Sequence, residues 1–129
     1  MSIGLQIGSR LPAYCTSMGR VLLAALPAET AAERLSESQI DKLTPHSITN
    51  LKTLSEEVAK VRERGYSVID QELELGLRSI AVPVYDAGGR VVAAMNVGVQ
   101  VERASVDDLI QKFLPPLRDA QAALRRMIT

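Results

Sequence analysis

The 129-residue chain balances 15 basic against 15 acidic side chains, is 47% hydrophobic, and has 3% aromatic residues with no tryptophan. It therefore lacks the basic excess of nucleic-acid and anionic-membrane binders, and the aromatic content of a base-stacking platform. One cysteine excludes an internal disulfide and fits a reducing cytoplasm, while neither a secretion signal nor an apolar run near the roughly 18 residues of a membrane span is present.

Ile3, Leu5 and Ile7 alternate with polar and small residues, which predicts a half-buried strand. Thr16 or Ser17 caps a helix running to about Leu26 and stopped by Pro27. "AETAAERL" continues as helix, and "SESQIDKLTP" reads as a further short helix ending before Pro45. Asn50 caps a helix that carries Leu54, Val58 and Val61 on one face, and Gly65 ends it after Arg62 and Arg64 complement the dipole. "YSVID" is a strand, and "RSIAVPVYDAGGRVVAAMNVGVQV" reads as two long strands around a glycine-rich turn. Ser105 and Asp108 form a capping box for a final helix, in which Pro115 and Pro116 predict a kink or a break. This order predicts an α+β domain, an antiparallel sheet with helices packed against it.

The hairpin is the most informative segment. Ile80, Val82 and Val84 share one face with Val91, Ala93, Met95, Val97 and Val99 only if the loop has an even number of residues. Gly88-Gly89 or Asp86 to Gly89 satisfies that, and the longer loop sets Ser79 opposite Asn96. The other face carries Ser79, Ala81, Asn96 and Gly98, small residues that either leave room for a ligand or admit a closely packed helix.

"YCTSMGR" raises two chemistries, a nucleophile and an anion cradle. A nucleophile needs a base, yet the one histidine, His46, lies in a turn-like segment, and no hydrolase elbow, zinc motif or phosphate loop is present. Cys15 reads as a small buried residue, and Asp70, Glu72 and Glu74 as a solvated or salt-bridged edge with Arg78 as partner. The cradle needs less: the N–H groups of Ser17 and Met18 at a helix start, a hydroxyl from Thr16 or Ser17, and Gly19 keeping the site uncrowded. No catalytic residue, metal ligand or cofactor is assigned. The rival readings are an oligomerisation module with a vestigial pocket and a Cys15- or Ser17-dependent hydrolase.

The order "LPAYCTSMGRVLLAALP", "LTPHSIT", "RGYSVIDQELELGLRSIAVPVYDAGGRVVAAMNV" and "FLPPLRDA" resembles the effector-binding domain of IclR-family transcriptional regulators. Within it, the chain is similar to the subgroup governing protocatechuate and β-ketoadipate pathways of aromatic-acid degradation. The resemblance covers nearly all of residues 1–129 and implies a GAF- or PAS-like sensor domain that assembles as homodimers or tetramers. It also implies that DNA is bound only through an N-terminal winged helix-turn-helix, which has no counterpart in this sequence. Family effector contacts fall on the backbone of Ser17 and Met18 and on Ile69, Ser79, Asn96 and Gly98. Where some relatives carry an acid, this chain has Ile69, so that polar role is lost or moves to Asp70. The implied effector is a small carboxylic acid of the β-ketoadipate, protocatechuate or 4-hydroxybenzoate type.

Overall fold

The alternation of apolar side chains between 67 and 100 gives three strands, each with two usable faces. In the computed structural model, which describes residues 6–129, they are β1 (Ser67–Asp70), β2 (Leu77–Tyr85) and β3 (Val91–Gln100). They form an antiparallel sheet in the order β1-β2-β3. Helices α1 (Ser17–Ala24), α2 (Ala28–Glu37) and α3 (Leu51–Arg64) precede the sheet. A short α4 (Val106–Asp108), a π-helical turn (Leu109–Phe113) and α5 (Leu114–Met127) follow it.

Each face of the sheet buries a separate core. On one, Ile80 and Val82 pack with Leu109 and Leu117, flanked by Met95, Val97, Val99 and Phe113. On the other, Ala81 joins Tyr14, Cys15, Val21, Leu54, Val58 and Val61, so α1 and α3 lie over the small-residue side. Ala81 and Ser67 are completely buried there. A closely packed helix thus covers part of the small face.

The local capping signals produce the helix ends the sequence predicts. Asn50 Oδ1 accepts the Thr53 N–H at 3.0 Å. Gly65 ends α3 at φ +81°, a left-handed value that disfavours any residue with a side chain. The Ser105–Asp108 box is closed in both directions.

Two expectations are corrected, and two that left alternatives open are narrowed. Ile3 and Leu5 lie outside the described residues, whereas Ile7 lies in a turn, fully exposed, rather than in a strand. No separate helix forms over "SESQIDKLTP": Ser36 and Glu37 finish α2, and Ser38 is extended and ends it, its hydroxyl donating to the Arg34 carbonyl at 2.7 Å. Beyond it, Tyr14 Oη holds both backbone groups of Asp41, at 2.6 and 3.1 Å, so side chains replace the helix ladder.

The hairpin sets Ser79 opposite Gly98 and Asn96 opposite Ala81. That is the register of the two-residue turn, and Ser79 does not face Asn96. A bulge between Val84 and Tyr85 lengthens the connection. Asp86 closes it, its N–H donating to the Arg90 carbonyl and its carboxylate accepting the Arg90 N–H, each at 2.9 Å. Lastly, of the kink or break expected at the two prolines, the break does not occur, and the helical irregularity lies just before them in the π-helical turn. Both prolines sit in the first turn of α5, where a missing N–H costs nothing, and the chain reaches them through one wider turn closed by Leu114 N–H to Leu109 O.

Candidate functional site

The start of α1 is built by Thr16. Its extended backbone (φ −113°) lets Oγ1 accept the Gly19 N–H at 3.2 Å and donate to the Pro12 carbonyl at 2.8 Å. The Thr16 carbonyl accepts the Arg20 N–H at 3.0 Å. The N–H groups of Ser17 and Met18 therefore have no intrahelical acceptor, and the positive end of the helix dipole lies with them. Ser17 is only 1% exposed, and its Oγ accepts a 2.8 Å hydrogen bond from the Ser79 hydroxyl of β2. The helix start and the small-residue face of the ribbon are joined by that bond.

Beside it lies a cavity of about 300 Å³. Cys15, Thr16, Ser17 and Met18 contribute from α1 and its approach, and Ile69, Ser79, Asn96 and Gly98 from the sheet. Leu73 and Glu74 come from the connection between β1 and β2, Leu77 from the first position of β2, and Leu11 from the linker before α1. Six of the seven sequence-derived candidates, Ser17, Met18, Ile69, Ser79, Asn96 and Gly98, thus line one cavity. A Cβ added at Gly98 would meet nothing within 4 Å, so the sheet is uncrowded at that point.

Asp70 is not among the lining residues. It pairs with Arg78 across β1 and β2 while Ile69 pairs with Ser79, so strand alternation turns it to the other face of the sheet. There its carboxylate accepts from Arg78 Nε at 3.0 Å. The salt-bridged edge foreseen for Asp70 and Arg78 is present, but Glu72 belongs elsewhere. Its carboxylate is gripped by both Nη atoms of Arg20, the longer contact 3.2 Å, and Arg20 Nε donates to the Tyr14 carbonyl at 2.9 Å. Burial pushes the Glu72 carboxyl above the usual range, against the pull of Arg20.

Gly19 plays a different part from the one assigned to it. A Cβ there would fall 2.4 Å from Ala13 Cα and 2.5 Å from both Ala13 O and Thr16 Oγ1. The glycine admits the protein's own backbone, and it does not line the cavity. Leu73, Glu74 and Leu77 were not among the sequence candidates. They reach the wall because Gln71 takes a left-handed φ of +61°, its N–H bonding the Leu77 carbonyl at 2.9 Å. An isolated apolar-acidic alternation carries no sign of that turn.

Cys15 is 0% exposed, and burial pushes its thiol up to about 11, so it carries no thiolate near neutrality. His46 is exposed in the 44–47 turn and is not a lining residue. No group of three His, Cys, Asp or Glu is placed to hold a metal among the described residues. A wider groove of about 970 Å³ lies along the C-terminal half of α1, the end of α2 and the hairpin tip. No helix among the described residues is long and apolar enough to cross a membrane.

The chain is 47% identical over 124 residues to the Pca regulon regulatory protein of Pseudomonas putida, covering 96% of this chain and 43% of that one. It is 40% identical over 125 residues to the p-hydroxybenzoate hydroxylase transcriptional activator of Acinetobacter baylyi, covering 97% and 46%. The chain thus spans less than half the length of these regulators. The structure superposes with a TM-score of 0.93 on the inducer-binding domain of a double mutant of PobR from Acinetobacter, solved with 3-hydroxybenzoic acid, at 38% identity over 99% of this chain and 73% of that one. The family model for the bacterial transcriptional regulator IclR C-terminal matches residues 1–126, and the chain belongs to that family.

Proposed function

We propose that residues 1–129 form a cytoplasmic effector-binding domain that takes a small carboxylic acid of aromatic catabolism and passes its occupancy to a winged helix-turn-helix DNA-binding domain outside these residues. One observation carries the reading: the Ser17–Ser79 bond holds the start of α1 against the ribbon and leaves a cavity of about 300 Å³ beside it. Two backbone N–H groups and the helix dipole favour an anion at that point, and Ile69, Leu73 and Leu77 offer an apolar wall for its carbon skeleton. The relatives support a regulatory role over an enzymatic one, and the buried, protonated Cys15 agrees with them.

A ligand shifts such a regulator only by binding its two states unequally; a hundredfold preference supplies about 2.7 kcal/mol. Self-association into dimers or tetramers is proposed on the family resemblance, and sedimentation equilibrium reads it. Calorimetric titration with 4-hydroxybenzoate, protocatechuate and β-ketoadipate tests the binding. Saturable heat from at least one acid, lost in Ser17→Pro, which abolishes one N–H donor, is the expected result. Folded protein giving no heat with all three would reject the sensor reading.

A further inference from the structure

Resting on the organic-acid reading of the cavity, we infer that Arg20 is a positioning residue of that site. Without lining the cavity, it sets the helix start that takes the carboxylate against the segment after β1 that walls the carbon skeleton. Arg20 is absent from the lining, yet its guanidinium reaches both sides. Nε donates at 2.9 Å to the carbonyl of Tyr14, which directly precedes Cys15, Thr16 and Ser17 in the wall. Both Nη atoms grip the Glu72 carboxylate, the longer contact 3.2 Å, and the next two residues, Leu73 and Glu74, line the cavity. The main chain of that segment is anchored from its outer side. There the Thr44 and Ser47 hydroxyls donate to the Gln71 and Glu72 carbonyls at 2.5 and 2.7 Å. Those bonds tie the segment to the 44–47 turn, and Arg20 ties it to α1.

The pair is poorly suited to a purely stabilising role. Arg20 is 2% and Glu72 8% exposed. Taking both charges out of water offsets much of their attraction, so apolar side chains of similar size would hold the two segments together about as well. What an apolar contact cannot supply is direction. Parallel N–H donors on a planar carboxylate fix an angle as well as a distance, and the third donor, on Tyr14, fixes the guanidinium itself. A binding site needs its walls held within about 0.5 Å of the productive geometry. The segment after β1 does not reach that by itself. It opens on Gln71 at φ +61°, a left-handed conformation that a residue with a side chain keeps only when its surroundings impose it.

Calorimetric titration with 4-hydroxybenzoate, protocatechuate and β-ketoadipate, beside thermal melts, tests this in the double variant Arg20→Met with Glu72→Leu and in Arg20→Lys. The double variant should recover most of the stability that Arg20→Met alone loses, yet bind the parent's tightest acid at least tenfold more weakly. Arg20→Lys keeps a charged contact to Glu72 and should bind that acid at least threefold more tightly than the double variant. Parent-like affinity in the double variant, a loss of affinity matched by an equal loss of stability, or no recovery with Lys overturns the positioning role and leaves the organic-acid site standing. No binding of any of the three acids by folded parent protein overturns both. If the variants do not fold, the parent protein decides. Because linkage is reciprocal, a saturating acid should slow hydrogen exchange at Arg20 Nε–H at least threefold; an unchanged rate overturns the proposal.

Discussion

Gly19 and Gly98 offer a paired perturbation in which one methyl group has opposite consequences. At Gly19 the added Cβ would fall 2.4 Å from Ala13 Cα and 2.5 Å from Thr16 Oγ1, so either the linker before α1 or the cap itself must move. Overpacking of this kind costs about 1–3 kcal/mol and loss of a Thr cap about 1 kcal/mol, while Ala in place of Gly in a helix returns at most about 1 kcal/mol. Gly19→Ala should therefore destabilise by roughly 1–3 kcal/mol, or about 3–12 °C in melting temperature for a chain of this size. At Gly98 the added Cβ meets nothing within 4 Å and the backbone is not left-handed. Gly98→Ala should leave stability unchanged or raise it by about 0.5–1 kcal/mol, yet weaken binding of 4-hydroxybenzoate, because the methyl enters the cavity. Differential scanning fluorimetry and calorimetric titration read the two quantities. Equal stability losses in both variants would refute the claim that β3 is uncrowded beside α1.

The Ser17–Ser79 bond should appear in a double-mutant cycle of Ser17→Ala and Ser79→Ala as a coupling of about 0.5–1.5 kcal/mol by urea denaturation; no coupling would mean that the two hydroxyls act independently. Arg20→Met leaves the buried Glu72 carboxylate without its partner and should cost about 3–5 kcal/mol, whereas Arg20→Met with Glu72→Leu should cost clearly less. Cys15 should resist Ellman's reagent at pH 8 in the folded protein and react fully on unfolding. Because its folded pKa of about 11 lies above the unfolded value, its contribution to stability is present below the unfolded pKa and is lost as pH rises towards 11. That loss amounts to about 2 kcal/mol by pH 11, and Cys15→Ala should remove it from the alkaline limb of the stability profile.

What could be read along the chain was what neighbouring residues decide among themselves. Thr16, Asn50, Gly65 and the Ser105–Asp108 box act within four residues, and strand alternation separates the bulky face from the small one without knowledge of any partner. What escaped depends on distant groups. The segment after α2 is shaped by Tyr14 on Asp41 and by bonds from Thr44 and Ser47 to the carbonyls of Gln71 and Glu72. Arg20 and Glu72 meet across 52 positions. The hairpin register turned on one bulge, set where the Asp86 carboxylate takes the Arg90 N–H. Asp70 was misplaced for a simpler reason: it is one residue from Ile69, and in a strand one residue is the other side of the sheet.

The most direct measurement is the set of backbone amide shifts in ¹⁵N–¹H spectra as 4-hydroxybenzoate is added. The largest changes should fall on Ser17, Met18 and Gly98, where the helix start meets the uncrowded strand. Changes centred instead on Leu26, Gly89 and Val91 in the wider groove, with Ser17 and Met18 unmoved, would contradict the placement of the acid between α1 and the sheet.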